Sequence, residues 1–495
     1  MYLRGDDDLR FREERPRSRP GRVALYLVWI VAALGVLHLV QQGAIQPVDL
    51  FAPTPTPTRT ARSWAEEAQA QFVAGNLEAS IEAYRQALAL APDDARLWAE
   101  LARVQTYSSA LLPTDAQTYA RLQDALQSAN RAVELAPDDP FTHAIRAFVL
   151  DWNATASLTP PDQRTALLVE AQSEANRALL LAPNDPLALA FFAEVLLDQN
   201  KWTQAEQYAA RAVQLGPHLM DTHRVYAFVQ ESLGRYNAAI REYQEAAKLA
   251  PNLAFLYIRL GIEYRTLASR AVLSSLRKEY YRTALDYFAT AANINERLGI
   301  RDPTPYIAIA KTYAQQGQFF IASRNAEKAL LLDPTNPNTY AELGIIYIKA
   351  RNYEASLPVL KCAVLGCSAA EVEAILQDLK DRFEGFDEVQ PVAVQPLPLT
   401  NTTVAFYYAS YASVLAALDR CDQALPILDE VDATYPNDPV LRGISRENRA
   451  ICRTLAAQKG TRTPPPPPTG SPGAPGSTLT PTLTPTPTAT PTPRP

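Results

Sequence analysis

Residues 183–217 read PNDPLALAFFAEVLLDQNKWTQAEQYAARAVQLGP, and residues 217–251 read PHLMDTHRVYAFVQESLGRYNAAIREYQEAAKLAP. Each stretch opens and closes on proline at the same distance, 217−183=34 and 251−217=34. Twelve residues before the closing proline stands Ala205 or Ala239, and five before it Ala212 or Ala246. Seven residues make about two helical turns, so both alanines lie on one helix face. Small residues there let a neighbouring helix approach closely. The proline ends the helix, since it has no N–H to donate to the next backbone bond. A fixed period of 34 is the mark of a stacked helix–turn–helix repeat. A chain of such units displays a surface and rarely carries chemistry.

The phrase extends in both directions. Ser80, Ala125, Ala171, Ala322 and Ala424 occupy the site twelve before a proline, and Ala87, Ala132, Ala178 and Ala329 the site five before. Ten residues after the proline comes a second small site, filled by Ala102, Ala147, Ala193, Ala227, Gly261 and Gly344. Aromatics such as Trp64, Tyr84, Tyr243, Phe288 and Tyr313 fill the gaps between small residues. Gly75, Gly234 and Gly317 fall between the two helices of their units, where a positive φ suits glycine. The pattern resembles the tetratricopeptide repeat. All family positions are met in 303–336 by Tyr306, Ala310, Tyr313, Gly317, Ala322, Ala329 and Pro334, and the match is also strong in 61–94 and 186–253. The resemblance implies an all-α, right-handed superhelical solenoid, with about nine units between residues 61 and 438. Repeats are expected over 61–384, a Pro-containing linker over 385–404, and the last repeat with a capping helix (Leu441–Leu455) over 405–458. The cap is needed because the final repeat would otherwise expose its apolar face. Three units are stretched by the inserts ALLPTDAQTY, TASLTPPDQR and the stretch around SRAVLSSLRK. All three inserts fall between the two helices, so they should lengthen helices or loops along one edge.

The ends differ from the repeats. Val23–Val40 is a run of eighteen residues with no formal charge besides His38, close to the roughly 20 apolar residues that a spanning helix needs. It is longer than a signal-peptide core, and no A-x-A site follows. Arg10, Arg12, Arg15, Arg17, Arg19 and Arg22 precede it, and the next basic residue is Arg59. The positive-inside rule then puts 1–22 in the cytoplasm, a transmembrane helix at 23–42 and everything beyond on the far side. Residues 43–60 and 459–495 are Pro/Thr-rich and read as a disordered stalk and tail. The Thr-Pro style of the tail points to a bacterial cell envelope.

Four cysteines stand in the repeats, and an even count outside the membrane favours disulfides over buried free thiols. Cys421 should open the second helix of the last unit and Cys452 close the cap helix, so antiparallel packing brings them together. Cys362 and Cys367 flank a short Ala-Val-Leu-Gly link and are expected to form a second, local pair. Asn153-Ala-Thr155 and Asn401-Thr-Thr403 match the glycosylation triplet, which is common by chance.

Catalysis has little to stand on. His218 and His223 are five apart, off the i, i+4 spacing of two ligands on one helix face. There is no G-x-S-x-G, no phosphate-cradling Gly-rich loop and no H-E-x-x-H, so neither an enzyme nor a cofactor is expected. A net charge of −6, evenly mixed, leaves no basic stripe for nucleic acid. No small-molecule substrate is expected either.

In tetratricopeptide proteins the first helix of each pair lines the concave face, where ligands lie. The resemblance places this groove at positions four, seven, eleven and fourteen after each proline. It selects Arg96 and Arg103, Phe141 and Phe148, Glu194, Arg224 and Phe228, then Ile258, Ile262 and Arg265. A water-facing wall needs no Phe, so such a row suggests a protein or peptide partner, unless these side chains pack on each other inside a tightly wound superhelix. The family's Lys/Asn clamp for C-terminal carboxylates has no counterpart on adjoining units. The functional expectation is a membrane-anchored, extracytoplasmic protein-interaction scaffold. The rival is an envelope spacer with no groove ligand.

Overall fold

The computed structural model describes residues 20–42, 59–112 and 114–460. Among them, α1 (Pro20–Gln41) belongs to a unit of its own. Its span Pro20–Leu39 has a mean hydropathy of 2.0 and none of it is buried, with Leu27, Val28, Trp29 and Val31 all more than half exposed. Twenty helical residues extend about 30 Å, the thickness of a bilayer core. By length and composition α1 is therefore a candidate membrane span. The arginines that argue its orientation, apart from Arg22, lie outside the described residues, as do most of the Pro/Thr stalk and the tail from 461 on.

The second unit is built of helix pairs. These are α2–α3 (Ala61–Val73, Leu77–Leu90), α4–α5 (Ala95–Ser109, Asp115–Leu135), α6–α7 (Pro140–Thr155, Pro161–Leu181), α8–α9 (Pro186–Asp198, Trp202–Leu215) and α10–α11 (Met220–Ser232, Tyr236–Leu249). They continue with α12–α13 (Ala254–Arg270, Ser274–Leu298), α14–α15 (Thr304–Gln315, Phe319–Leu332) and α16–α17 (Pro337–Lys349, Tyr353–Val364). A single helix α18 (Ala369–Lys380) follows, then the pair α19–α20 (Thr402–Ala417, Cys421–Thr434) and the terminal α21 (Pro439–Gly460). The fold is an all-α solenoid. Its extended backbone pairs only at an isolated bridge, Cys367 with Val394, among the described residues.

Local chemistry sets each boundary. Two residues after the closing proline stands Asp94, Asp139, Asp185, Asn336 or Asp438. Each side chain accepts a hydrogen bond from the first turn of the next helix. In four of the five the following residue is proline, whose missing N–H costs nothing at a helix start. Small residues then fix the spacing between helices. A Cβ on Gly261 would overlap the Phe288 ring, and one on Gly344 would overlap Leu360. The alanines at the two repeat sites, from Ala87 to Ala329, are fully buried.

The inserts become helix. The second helices α5 and α7 are 21 residues long and α13 is 25, against 14 for α3, α9 and α11. The excess of 21−14=7 residues adds about two turns at the N-terminal end. The segment between α18 and α19 is tied down. Val394 exchanges backbone bonds of 2.9 Å with Cys367, Leu397 N–H donates to Ala363 at 2.8 Å, and Tyr408 Oη donates to Leu397 O at 2.8 Å. The segment's own Val389, Val394 and Leu397 are buried.

Both cysteine pairs are bonded, Cys362–Cys367 and Cys421–Cys452. The first sits where the segment between α18 and α19 meets the end of α17. The second joins the start of α20 to the last helix.

Candidate functional site

The repeats wind tightly enough to meet themselves. Gly75, in the turn between α2 and α3 with φ +84°, packs so closely on the backbone of Asn252 that a Cβ would collide with its carbonyl oxygen. Asn252 Nδ2 lies 3.5 Å from Val73 O, 179 residues away in sequence. The first helices of the units between form the inner layer, and their side chains reach across to one another.

At the centre stands Tyr107 of α4, fully buried. Its ring lies 5.2 Å from Phe148 and stacks on Phe255 at 5.6 Å with 10° between planes. Phe148 stacks in turn on Phe191 at 4.5 Å. The Tyr107 hydroxyl donates to the Asp221 carboxylate, and the other oxygen of Asp221 takes Arg103 Nη1 at 3.0 Å. Arg224 Nε donates to the same hydroxyl at 3.1 Å, while its two Nη groups grip Glu194 at 2.8 and 2.6 Å. Trp152 Nε1 also donates to Glu194, at 3.2 Å. The guanidinium of Arg224 rests over the Tyr107, Phe148 and Trp152 rings at 5.4 to 5.9 Å. Burial raises the Tyr107 pKa well above that of a free phenol, so the hydroxyl stays a donor. The nearby Glu194 and Tyr107 hold Arg224 charged despite burial. Such a network is stable because every polar member has a partner.

Beside this network a cavity of about 430 Å³ opens between α6, α8, α10 and α12. Its walls include Asp151, Trp152, Glu194, Asp198, Arg224, Phe228, Phe255, Ile258, Arg259 and Ile262. Arg259 is held by Glu231 at 2.5 Å and by the Tyr243 hydroxyl at 3.3 Å. Asp151 differs from all of these. It is 1% exposed, and its two oxygens receive no hydrogen bond from any donor, the Asp198 carboxyl being the polar group beside it. Burial, then the charges of Asp198 and Glu194, push its pKa well above the carboxylate range. Burial and Glu194 push Asp198 up to about 6. Glu263, also 1% exposed with one unpartnered oxygen, is raised to about 8 by burial and by Glu231.

The ten groove positions therefore separate into three environments. Glu194, Arg224, Phe228, Ile258 and Ile262 line the cavity. Arg103 and Phe148 are buried in the cross-lumen network, Phe148 with no exposed surface. Arg96, Phe141 and Arg265 lie outside the cavity lining. Arg96 is exposed and bonds Asp139 at 3.0 Å, with Phe141 6.0 Å beneath its guanidinium. Arg265 lies over Phe288 at 5.6 Å. Asp151, Trp152 and Asp198 were not among the residues selected from the sequence. Asp151 stands fourteen after Pro137, an offset that the repeat rule covers, while Trp152 and Asp198 stand fifteen after their prolines, one beyond it.

Two histidines of the repeats have structural partners. His143 and His223 each place Nε2 against the carbonyl of the preceding repeat's proline, Pro137 at 2.8 Å and Pro217 at 3.0 Å, and Nδ1 against Glu174 or Glu242. No cluster of three His, Cys, Asp or Glu fit for a metal occurs among the described residues. Asn153 is fully buried and donates to Leu122 O at 3.0 Å and Val149 O at 2.8 Å, so its triplet is closed to a glycan in the folded state.

Tetratricopeptide-repeat family models match residues 65–106 and 226–253. Neither covers 303–336, although that stretch carries every family position. Set in this solenoid of helix pairs at a period of 34, the matches make the chain a tetratricopeptide-repeat protein. Among solved structures it is similar to the human IFIT1 dimer with m7Gppp-AAAA, at 15% identity and a TM-score of 0.46, over 82% of this chain and 91% of that one. It is similar also to the APC/C hetero-tetramer Cut9–Hcn1, at 15% identity and a TM-score of 0.43, over 78% and 76%. A thermophilic tetratricopeptide protein of Thermus thermophilus, TTC0263, aligns at 17% identity and a TM-score of 0.34, over 41% of this chain and 98% of that one. A comparison with curated proteins gave no match.

Proposed function

We propose that the protein is a membrane-anchored scaffold whose repeats lie outside the cytoplasm and hold an extended segment of a protein partner in the inner cavity. The observation that carries this reading is the cavity itself. Apolar and aromatic walls beside a few convergent charged groups are the usual make-up of a binding site. The anchor rests on α1, which is long and apolar enough to span a bilayer. The compartment rests on two disulfides with no free cysteine among the described residues, a pattern of oxidising environments. Human IFIT1 is solved with m7Gppp-AAAA. In this chain the cavity presents Asp151, Glu194 and Asp198, and its two arginines are already paired with carboxylates, which leaves no unpaired cation in its lining for a phosphate.

Cross-linking followed by purification of the full-length protein in detergent tests the binding reading. Phe228→Asp should eliminate the cross-linked partner while circular dichroism stays unchanged. A partner retained by that variant would place its contacts outside the cavity, and no cross-linked partner from the unmodified protein would favour the spacer. One observation already leans that way: the aromatic network around Tyr107 fills much of the inner layer. Orientation has its own test. Protease added to intact cells or spheroplasts should digest the C-terminal tail and spare a tag placed before Arg22.

A further inference from the structure

The cavity holds more acid than base, and the surplus is local. Of the charged groups facing it, Glu194 of α8 is matched by Arg224 of α10 at 2.6 and 2.8 Å. Arg259 of α12 is matched by Glu231 of α10 at 2.5 Å. Glu263, on the same helix, is a further acid with an unpartnered oxygen. That leaves the carboxyls of Asp151 on α6 and Asp198 on α8 in the cavity wall with no cation of their own. Asp198 is the half-buried member of the pair and Asp151 the fully buried one, and the two carboxyls meet with no donor from any other residue on the Asp151 oxygens. Two carboxyls so placed cannot both ionise without a counter-charge. In the empty cavity a shared proton is what keeps them side by side.

A ligand bearing a positive charge would replace that proton. Trp152, Phe228 and Phe255 border the same space, and aromatic faces attract an ammonium or guanidinium group. Ile258 and Ile262 offer apolar contact for the methylenes that carry such a group. At about 430 Å³ the cavity has room for one long side chain with some of its backbone.

We infer that the Asp151–Asp198 pair is the recognition site for a single basic side chain, lysine or arginine, presented by the extended segment of the protein partner. This rests on the peptide-binding reading above and names the residue which that segment must carry. Entry of the cation drives out the shared proton, so binding and proton release are coupled. Acidification weakens binding as the pair takes its proton back.

Calorimetry on the full-length protein in detergent tests it with capped pentapeptides Ac-Ala-Ala-Xaa-Ala-Ala-NH2, where Xaa is lysine, arginine, norleucine or glutamate. Two buffers of different ionisation enthalpy, near neutral pH, measure the proton. The lysine or arginine peptide should bind about tenfold or more tighter than the norleucine peptide, a difference of about 1.4 kcal/mol, and should release a proton. Asp198→Asn should remove both the preference for the basic peptides over norleucine and the proton release. Asp151→Asn should weaken the preference with the fold intact, since it removes a like charge. Equal binding of lysine and norleucine peptides, or a preference for glutamate, would overturn the basic-residue site and leave a peptide groove standing. No binding by any of the four would overturn both. A preference for the basic peptides that persists in Asp198→Asn would also sink it, by placing the cation elsewhere.

Discussion

Six residues after the closing proline, one position does the same work with different chemistry. Trp98 Nε1, Tyr257 Oη and Tyr340 Oη donate to the carbonyls of Pro92, Pro251 and Pro334 at 2.8, 3.0 and 2.9 Å, and His143 and His223 bond Pro137 and Pro217. The proline cannot continue its helix, and a side chain from the next helix satisfies its carbonyl. Tyr340 is fully buried, so Tyr340→Phe should cost about 1–3 kcal/mol of stability. Tyr257→Phe, at a wetter site, should cost less than half of that. Thermal unfolding of the two variants compares them directly. Glu263 gives a pH-dependent test. Its folded pKa of about 8 lies above its ordinary 4.5, so the native state holds a proton that the unfolded chain has lost. Stability should therefore fall as pH rises through that window. Glu263→Gln should raise stability near pH 8, by on the order of 2 kcal/mol after screening by water. The gain, read from thermal unfolding, should vanish below about pH 4, where both states are protonated. An equal gain at both pH values would show that charge is not the cause.

At the scale of elements, the turn between α2 and α3 decides whether the first units close on themselves. Gly75 meets two demands there, a φ of +84° and contact with the Asn252 backbone. Gly75→Val should break the closure, lower stability by a few kcal/mol, about 2–4, and increase the radius seen by small-angle scattering. Gly317 has a similar φ of +75° but open space around it. Gly317→Val should therefore cost only the backbone strain, about 1–2 kcal/mol, with no change in radius. The long second helices α5, α7 and α13 follow from a different balance. Their inserts contain good helix formers and no proline after the first turn, so extra turns are cheaper than a loop.

For the whole molecule, a solenoid is weakest at its ends, where a repeat has one neighbour only. The Cys421–Cys452 bond joins α20 to α21 across 31 residues and can restrict the unfolded chain by about 3–4 kcal/mol. It is backed by Arg449, which bonds Asp429 at 2.7 Å and Asp432 at 3.0 Å, and by Asn448 Nδ2 donating to Ser413 Oγ at 2.7 Å. Replacing both cysteines with serine should raise hydrogen exchange in α21 and α20 and leave α4 to α12 unchanged. In protein taken from its native compartment, a non-reduced digest should join the two peptides. Free thiols at both sites would count against a location outside the cytoplasm.

The solenoid was legible in the sequence because its physics is local and periodic. Proline, alanine and glycine at fixed offsets specify where each helix ends and how closely the next can lie, so Pro183, Ala212 and Gly261 announce their roles one at a time. The Cys421–Cys452 pair was legible for a related reason, since adjoining antiparallel helices bring the start of one beside the end of the next, and Cys362–Cys367 because a four-residue link keeps the two close. The candidate site was only half legible. A repeat offset selects Phe148 and Phe228 alike, yet one is sealed between Tyr107 and Phe191 while the other borders the cavity. What separates them is the winding of the superhelix, a sum of small rotations that brings Tyr107 onto Phe255 and Arg103 onto Asp221 across more than a hundred residues. That sum depends on side-chain volumes at every interface at once. Only the tertiary structure settles which face is filled and where two acids are left without a counter-charge.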